Sequence, residues 1–226
     1  MIVITFSGSK GGTGKTTLAV SLALVASMRV ETLLVDASAE GGATAYLLGD
    51  SPGPYLSEDP DGSLRRVEAD ELQLTVAMNR GPLFWPRKVA ERIAAWRGSF
   101  QLIVIDEPAL TDVDAVERYM PLLKLADTIL IVTEPNPASI EASLYRFGGK
   151  RVIVALNQPR PYPRTVVDHY RRVVEHFCRK HGYEYVLVPY EPAVSRLGPS
   201  TLEVFRYTSA EYDSAIVKLA NLLLSE

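Results

Sequence analysis

The 226-residue chain predicts an α/β fold: a mostly parallel, twisted sheet with helices on both faces. Two observations predict it. Short Val/Ile/Leu-rich runs alternate along the whole length with longer segments of helical periodicity. Those short runs are also nearly continuous in apolar residues instead of alternating, which is what a strand needs when helices shield both its faces. A hydrophobic content of 47% is ample for such a core, and the length fits one domain over residues 1–226.

The elements follow in order. Strands are expected at 2–7, 32–36, 72–77, 102–106, 128–133, 152–156 and 185–188, and helices at about 15–28, 86–97, 114–124, 137–147, 164–180 and 210–224. Segment 50–64 is rich in Pro, Gly and acids and reads as an exposed loop. Arg160-Pro161-Tyr162-Pro163-Arg164 is a second, stiff loop leading into a helix. That helix carries Val166, Val167, Tyr170, Val173, Val174 and Phe177 on one stripe. Its outer face pairs Arg164 with Asp168, Arg171 with Glu175 and Glu175 with Arg179 at i,i+4. The single cysteine, Cys178, excludes an intrachain disulfide and reads as a packed thiol.

Between the first strand and the first helix stands Lys10-Gly11-Gly12-Thr13-Gly14-Lys15-Thr16-Thr17. Strand, glycine loop and helix form the context a phosphate-binding loop requires. Glycines let the backbone turn its N–H groups around phosphate oxygens, and the helix N-terminus adds partial positive charge. Lys15 can reach the β- and γ-phosphates, and the Thr16 hydroxyl can ligate Mg²⁺. Two later strands, 32–36 and 102–106, end in acids, Asp36 and Asp106. Strand C-termini line the ligand crevice of an open α/β sheet, so these carboxylates are expected to hold waters of a Thr16-bound Mg²⁺.

The strict pattern G-x-x-x-x-G-K-[ST] fails, because Ser9 stands where its first glycine belongs and Lys10 precedes the paired glycines. The loop resembles the deviant Walker A motif of the ParA/MinD family of P-loop ATPases. Asp36-Ala37-Ser38-Ala39-Glu40-Gly41-Gly42-Ala43-Thr44 resembles that family's first switch segment and Asp106-Glu107-Pro108-Ala109 its second, with Asp106 as the Walker B aspartate. The run 126–137, the loop Val188-Pro189-Tyr190, and Tyr207-Thr208-Ser209 with the helix after it are also similar. The resemblance implies ATP and Mg²⁺ as cofactors. It implies phosphate binding by Gly11, Gly12, Thr13, Gly14, Lys15, Thr16 and Thr17, and metal organisation by Thr16, Asp36 and Asp106. Lys10, Lys15 and Asp36 are thereby catalytic candidates. Lys10 would cross a homodimer interface to the partner's nucleotide, tying dimerisation to ATP.

One departure bears on rate. The family's first switch usually reads Asp-x-Asp, and its second aspartate helps position the attacking water; here that residue is Ser38. A hydroxyl is too weak a base for that proton, so hydrolysis is expected to be slow. Glu40, Asp36 and Glu107 are the carboxylates left to substitute.

For the base, guanine-specific relatives place Asn-Lys-x-Asp where this chain has Asn157-Gln158-Pro159-Arg160. Arg160 cannot accept the guanine N–H bonds, so adenine is favoured, with Asn157 at its edge and Pro189 on its ring.

Net charge is −3 but unevenly spread. Residues 150–181 hold eight Lys/Arg against two acids, a net +6, which leaves −9 for the rest. Lys150, Arg151, Arg160, Arg164, Arg171, Arg172, Arg179 and Lys180 are therefore candidates for nonspecific DNA contact. The resemblance then implies a ParA-like partitioning ATPase with a centromere-binding or other activating protein partner. The alternatives are a MinD-type positioning ATPase, and a nucleotide-gated switch with little turnover. No apolar run reaches the roughly 18 residues of a membrane span, and the end of the chain, Lys218 to Glu226, lacks the basic face of a lipid anchor. With no basic leader or cleavage site at its start, the chain is expected to be cytoplasmic.

Overall fold

The computed structural model describes residues 1–9, 11–67, 71–194 and 207–225. Eight strands form one sheet: β1 (Ile2–Phe6), β2 (Thr32–Asp36), β3 (Leu64–Arg66), β4 (Leu74–Ala77), β5 (Leu102–Asp106), β6 (Thr128–Thr133), β7 (Arg151–Asn157) and β8 (Glu184–Val188). Their order is β3-β4-β2-β5-β1-β6-β7-β8. All pairings are parallel except β3 with β4, so only that short edge strand breaks the pattern the sequence predicts.

The helices are α1 (Lys15–Ser27), α2 (Gly42–Leu48), α3 (Pro86–Ala95), α4 (Val113–Leu125), α5 (Pro137–Ser143), α6 (Arg164–His181) and α7 (Ala210–Leu224), with a 3₁₀ turn at Trp96–Gly98. The two-residue period of a strand splits the core into two layers. Val3, Leu34 and Val104 pack with α1, α2 and α7. Ile4, Leu33, Val35, Ile103 and Ile105 pack with α3, α4, α5 and α6. Between the sheet and α7, α1 is buried nearly all round, and the Ser21 and Tyr212 hydroxyls pair across that contact at 2.8 Å.

Four expectations need correction. The helix over 137–147 ends at Ser143: Leu144 leaves helical geometry, and Phe6 instead takes Tyr145 and Phe147 edge-on at 5.8 and 5.0 Å. Segment 50–64 is not wholly exposed, because Leu56 is buried in the core and its N–H donates to the Met78 carbonyl. The buried stripe of α6 is narrower than expected, with Val167, Val174 and Cys178 inside and Val173 exposed, because this helix covers only the β7–β8 margin. Helix α2 and strand β3 were not expected at all.

Candidate functional site

Strand β1 feeds the glycine loop, and α1 starts from it at Lys15. Two loop glycines require their residue type. Gly12 has φ +99°, and Gly14, the N-cap of α1, has φ +87°. A Cβ on Gly14 would lie 2.3 Å from Asn157 Nδ2, the group that donates to the Thr13 carbonyl at 2.8 Å. Asn157, at the end of β7, thus clamps the loop from the far side. A Cβ on Gly11 or Gly12 would meet nothing within 4 Å, so space is open beside both. Thr16 faces α2, with Gly42 close against its side chain. Lys10 lies outside the described residues.

The β2–β5 register places Asp36 directly beside Asp106. The two carboxylates have opposite fates. Asp36 Oδ1 accepts from the Ser38 N–H (3.1 Å) and hydroxyl (2.7 Å), and Oδ2 accepts from the Thr44 N–H and hydroxyl, both at 2.8 Å. Burial pushes the Asp36 carboxyl above its ordinary value, and these four bonds oppose that. Both oxygens of Asp106 are buried without a hydrogen-bond partner, as are both oxygens of Glu107 and the Thr13 hydroxyl. Burial, then the Asp36 charge, lifts Asp106 to about 7; the nearby Thr16 and Thr5 hydroxyls and the Lys15 ammonium oppose it without a bond of normal geometry. Glu107 is raised well above the carboxylate range by burial and by Asp106, against the pull of Lys15. Lys15 is itself buried, which lowers it, while Asp106, Glu107 and Glu40 raise it.

Buried polar atoms without partners are rare in native proteins and mark places that something else completes. Among the described residues there are seven, and five of them gather at Thr13, Asp106 and Glu107 around Lys15. The donor set fits a polyphosphate with Mg²⁺: loop amides, an ammonium, the Thr16 hydroxyl and the unspent Asp106 carboxylate. Among the described residues no group of three His, Cys, Asp or Glu is placed to hold a metal ion.

Asn157 and Pro189, the expected base contacts, line one cavity of about 50 Å³ beside Gly14 and Thr17. Sequence reasoning missed three residues here. Asn79 ties the end of β4 to the first switch segment: its N–H donates to the Thr44 hydroxyl, and its amide to the Ser38 and Gly81 carbonyls. Glu191 accepts from the Ala193 and Ser209 N–H groups and so joins the loop after β8 to the start of α7. Glu107, read only as one of three spare carboxylates, contributes two of the unpartnered oxygens; its signal was its place beside Asp106. Cys178 is a packed thiol pushed up to about 12 by burial.

The basic segment does not form one cluster. Arg151 opens β7 and pairs with Glu184, whereas Arg160 lies beyond the other end of the strand and pairs with Glu134. Lys150 donates to the Lys124 and Ala126 carbonyls, and Arg164 and Arg171 sit near Asp168. Arg172, Arg179 and Lys180 remain on the exposed side of α6.

A parallel sheet whose first strand runs into a Gly-Lys-Thr helix start, with aspartates ending two further strands, defines a P-loop nucleoside triphosphatase fold of the deviant Walker A type. Residues 4–201 match the CobQ/CobB/MinD/ParA nucleotide-binding domain, and the chain belongs to that family of nucleotide-binding domains. It is 27% identical over 151 residues to an uncharacterized ATP-binding protein of Methanocaldococcus jannaschii, a match covering 62% of this chain and 57% of that one. Among solved structures it is similar to the septum site-determining protein MinD of Pyrococcus horikoshii complexed with Mg-ADP. That similarity has a TM-score of 0.74 and 19% identity, and covers 99% of this chain and 95% of that one. It is also similar to a ParA family ATPase from Chlorobium tepidum, with a TM-score of 0.70 and 19% identity over 96% and 98% of the two chains. Among the described residues no helix is long and apolar enough to cross a membrane.

Proposed function

We propose that this chain is a single-domain, ATP-dependent dimerising switch ATPase of the ParA type, working in the cytoplasm and acting in DNA partitioning with an activating protein partner. The observation that carries the nucleotide part is the set of unpartnered buried oxygens on Thr13 and Asp106 beside Lys15 and Thr16. Lys15 and the loop amides bind the β- and γ-phosphates. Thr16 ligates Mg²⁺ and Asp106 holds its waters and so orients the phosphates, while Asp36, its acceptor positions filled by Ser38 and Thr44, acts through the first switch segment that it fixes. Asn157 and Pro189 flank the adenine. Lys10 reaches the partner subunit's nucleotide, so the dimer forms on ATP and loosens after hydrolysis. Exposed Arg172, Arg179 and Lys180 on α6 carry the nonspecific DNA contact.

The bonding of Ser38 supports slow turnover. Its hydroxyl donates to Asp36 and accepts from the Gly42 N–H, so it is committed to holding the switch segment. That same observation favours a second reading, a nucleotide-gated switch with little hydrolysis. Titration with a fluorescent ATP analogue, with and without Mg²⁺, tests the proposal. Wild type should bind in a Mg²⁺-strengthened manner and Lys15→Ala should not; equal binding by both would refute it. Sedimentation with and without ATP tests dimerisation, and single-turnover hydrolysis separates the two readings.

A further inference from the structure

A cavity of about 560 Å³ lies apart from the nucleotide site. It lies between α4 and the 144–150 segment, with Val113, Val116, Met120 and Leu123 of α4 forming one wall. Phe6 and Leu110 form its floor, and Tyr145 and Phe147 stand opposite. Its volume is that of a binding site, not of a packing defect. We propose that it is a docking groove for an acidic amphipathic segment of a partner protein, an inference that goes beyond the ATPase reading and does not rest on it.

Two observations choose this occupant. Val113 is 71% exposed and Tyr145 53%, although both flank an apolar floor. A helical segment lying along the groove would cover both. The rim is also positive. Lys124 and Arg146 are exposed and make no ion pair among the described residues. The single acid in the lining, Asp112, caps α4 by accepting from the Ala115 N–H at 2.7 Å. A second copy of this chain docked isologously would press one positive rim against another, which is unfavourable. An acidic flank removes the conflict.

The groove also touches both phosphate-site segments. Phe6 and Gly8 run into the glycine loop, and Leu110 follows Asp106-Glu107-Pro108. Gly8 packs directly against α5, where a Cβ would meet the Ala142 carbonyl oxygen at 1.9 Å.

The test uses two labelled synthetic helical peptides with leucines at i, i+3, i+4 and i+7. One carries glutamates on its flanks and the other lysines. Fluorescence anisotropy is measured on wild type, Val113→Asn and the double variant Lys124→Glu/Arg146→Glu. Wild type should prefer the glutamate peptide by about tenfold or more, and Val113→Asn should weaken it by about tenfold. The charge-reversed variant should prefer the lysine peptide. Equal binding of both peptides by wild type, or affinities indifferent to both variants, would overturn the proposal. So would sedimentation showing that Val113→Asn dissociates a peptide-free dimer, because the groove would then belong to a second copy. A fluorescent ATP analogue titrated in parallel should bind all three proteins alike, so failure here stays distinguishable from failure of the ATPase reading.

Discussion

Replacing Thr44 with valine tests whether the first switch segment is held by a preformed network around Asp36. Thr44 is fully buried, and its hydroxyl does two things. It donates to Asp36 Oδ2 at 2.8 Å and accepts from the Asn79 N–H at 2.9 Å. Valine keeps the shape, so no cavity opens, but both bonds vanish. A hydrogen bond to a charged group contributes about 1.5–3 kcal/mol, and a stranded buried N–H costs about 1–3 kcal/mol. The Thr44 N–H still reaches Asp36, so the expected loss is about 3–5 kcal/mol and not the full upper sum. At this chain length each kcal/mol moves the midpoint by about 2–4 °C, so Tm should fall by roughly 10 °C. Urea unfolding followed by circular dichroism at neutral pH gives the free energy directly. Thr44→Ser, which keeps the hydroxyl, should lose no more than about 1.5 kcal/mol. A valine variant within about 1 kcal/mol of wild type, or no worse than the serine variant, would show that the network does not hold the segment as argued.

Four further outcomes are expected. Gly14→Ala must take φ +87° and displace Asn157, so it should lose about 2–4 kcal/mol in urea unfolding together with nucleotide binding; a stable variant that binds would refute the clamp. Asp106 titrates at about 7 in the folded chain against 3.8 for an ordinary aspartate, so below pH 4 both states are protonated. As pH rises from 4 to 7 the unfolded chain alone releases that proton, and nucleotide-free stability falls by up to roughly 4 kcal/mol. The stability of Asp106→Asn relative to wild type should therefore grow across that window; a difference flat with pH would refute it. Ser38→Asp should raise the single-turnover rate at least about tenfold if position 38 faces the attacking water, and an unchanged rate would move that role elsewhere. Arg172→Glu/Arg179→Glu should abolish ATP-dependent, salt-sensitive duplex binding, while Arg151→Gln, which removes a cation already paired with Glu184, should leave it; the reverse result would place DNA elsewhere.

Much of the site was legible because its chemistry occupies consecutive residues. The glycine loop needs strand, bend and helix in one stretch, and the chain supplies them between Ile2 and Ser27. The acids ending β2 and β5 were equally readable. That they lie side by side was not, because it depends on parallel pairing between strands far apart in sequence. Helix α2 escaped detection for a related reason. It opens on Gly41 and Gly42 and runs only seven residues, too short to persist alone, and it is held by the distant Asp36 carboxylate and Asn79. The basic excess misled in the opposite direction. Lys150, Arg151 and Arg160 are near in sequence, but a seven-residue strand puts roughly 20 Å between its ends.

The contrast between Asp36 and Asp106 shows how the fold divides labour within one pair of neighbouring carboxylates. Asp36 has every acceptor position filled from its own segment, so it fixes the first switch whatever the rest of the site holds. Asp106 and Glu107 have none filled, and their burial is a cost the fold carries on β5. A cation bound there removes part of that cost, so binding free energy and folding free energy are coupled at this strand end. The coupling has a measurable sign: at one fixed excess of Mg-ATP, wild type should be stabilised more than Asp106→Asn, by the amount that its tighter affinity dictates. Equal stabilisation at the same Mg-ATP concentration would mean that the unpartnered oxygens at the end of β5 play no part in binding, and the metal would then have to be held by Thr16 and phosphate without them.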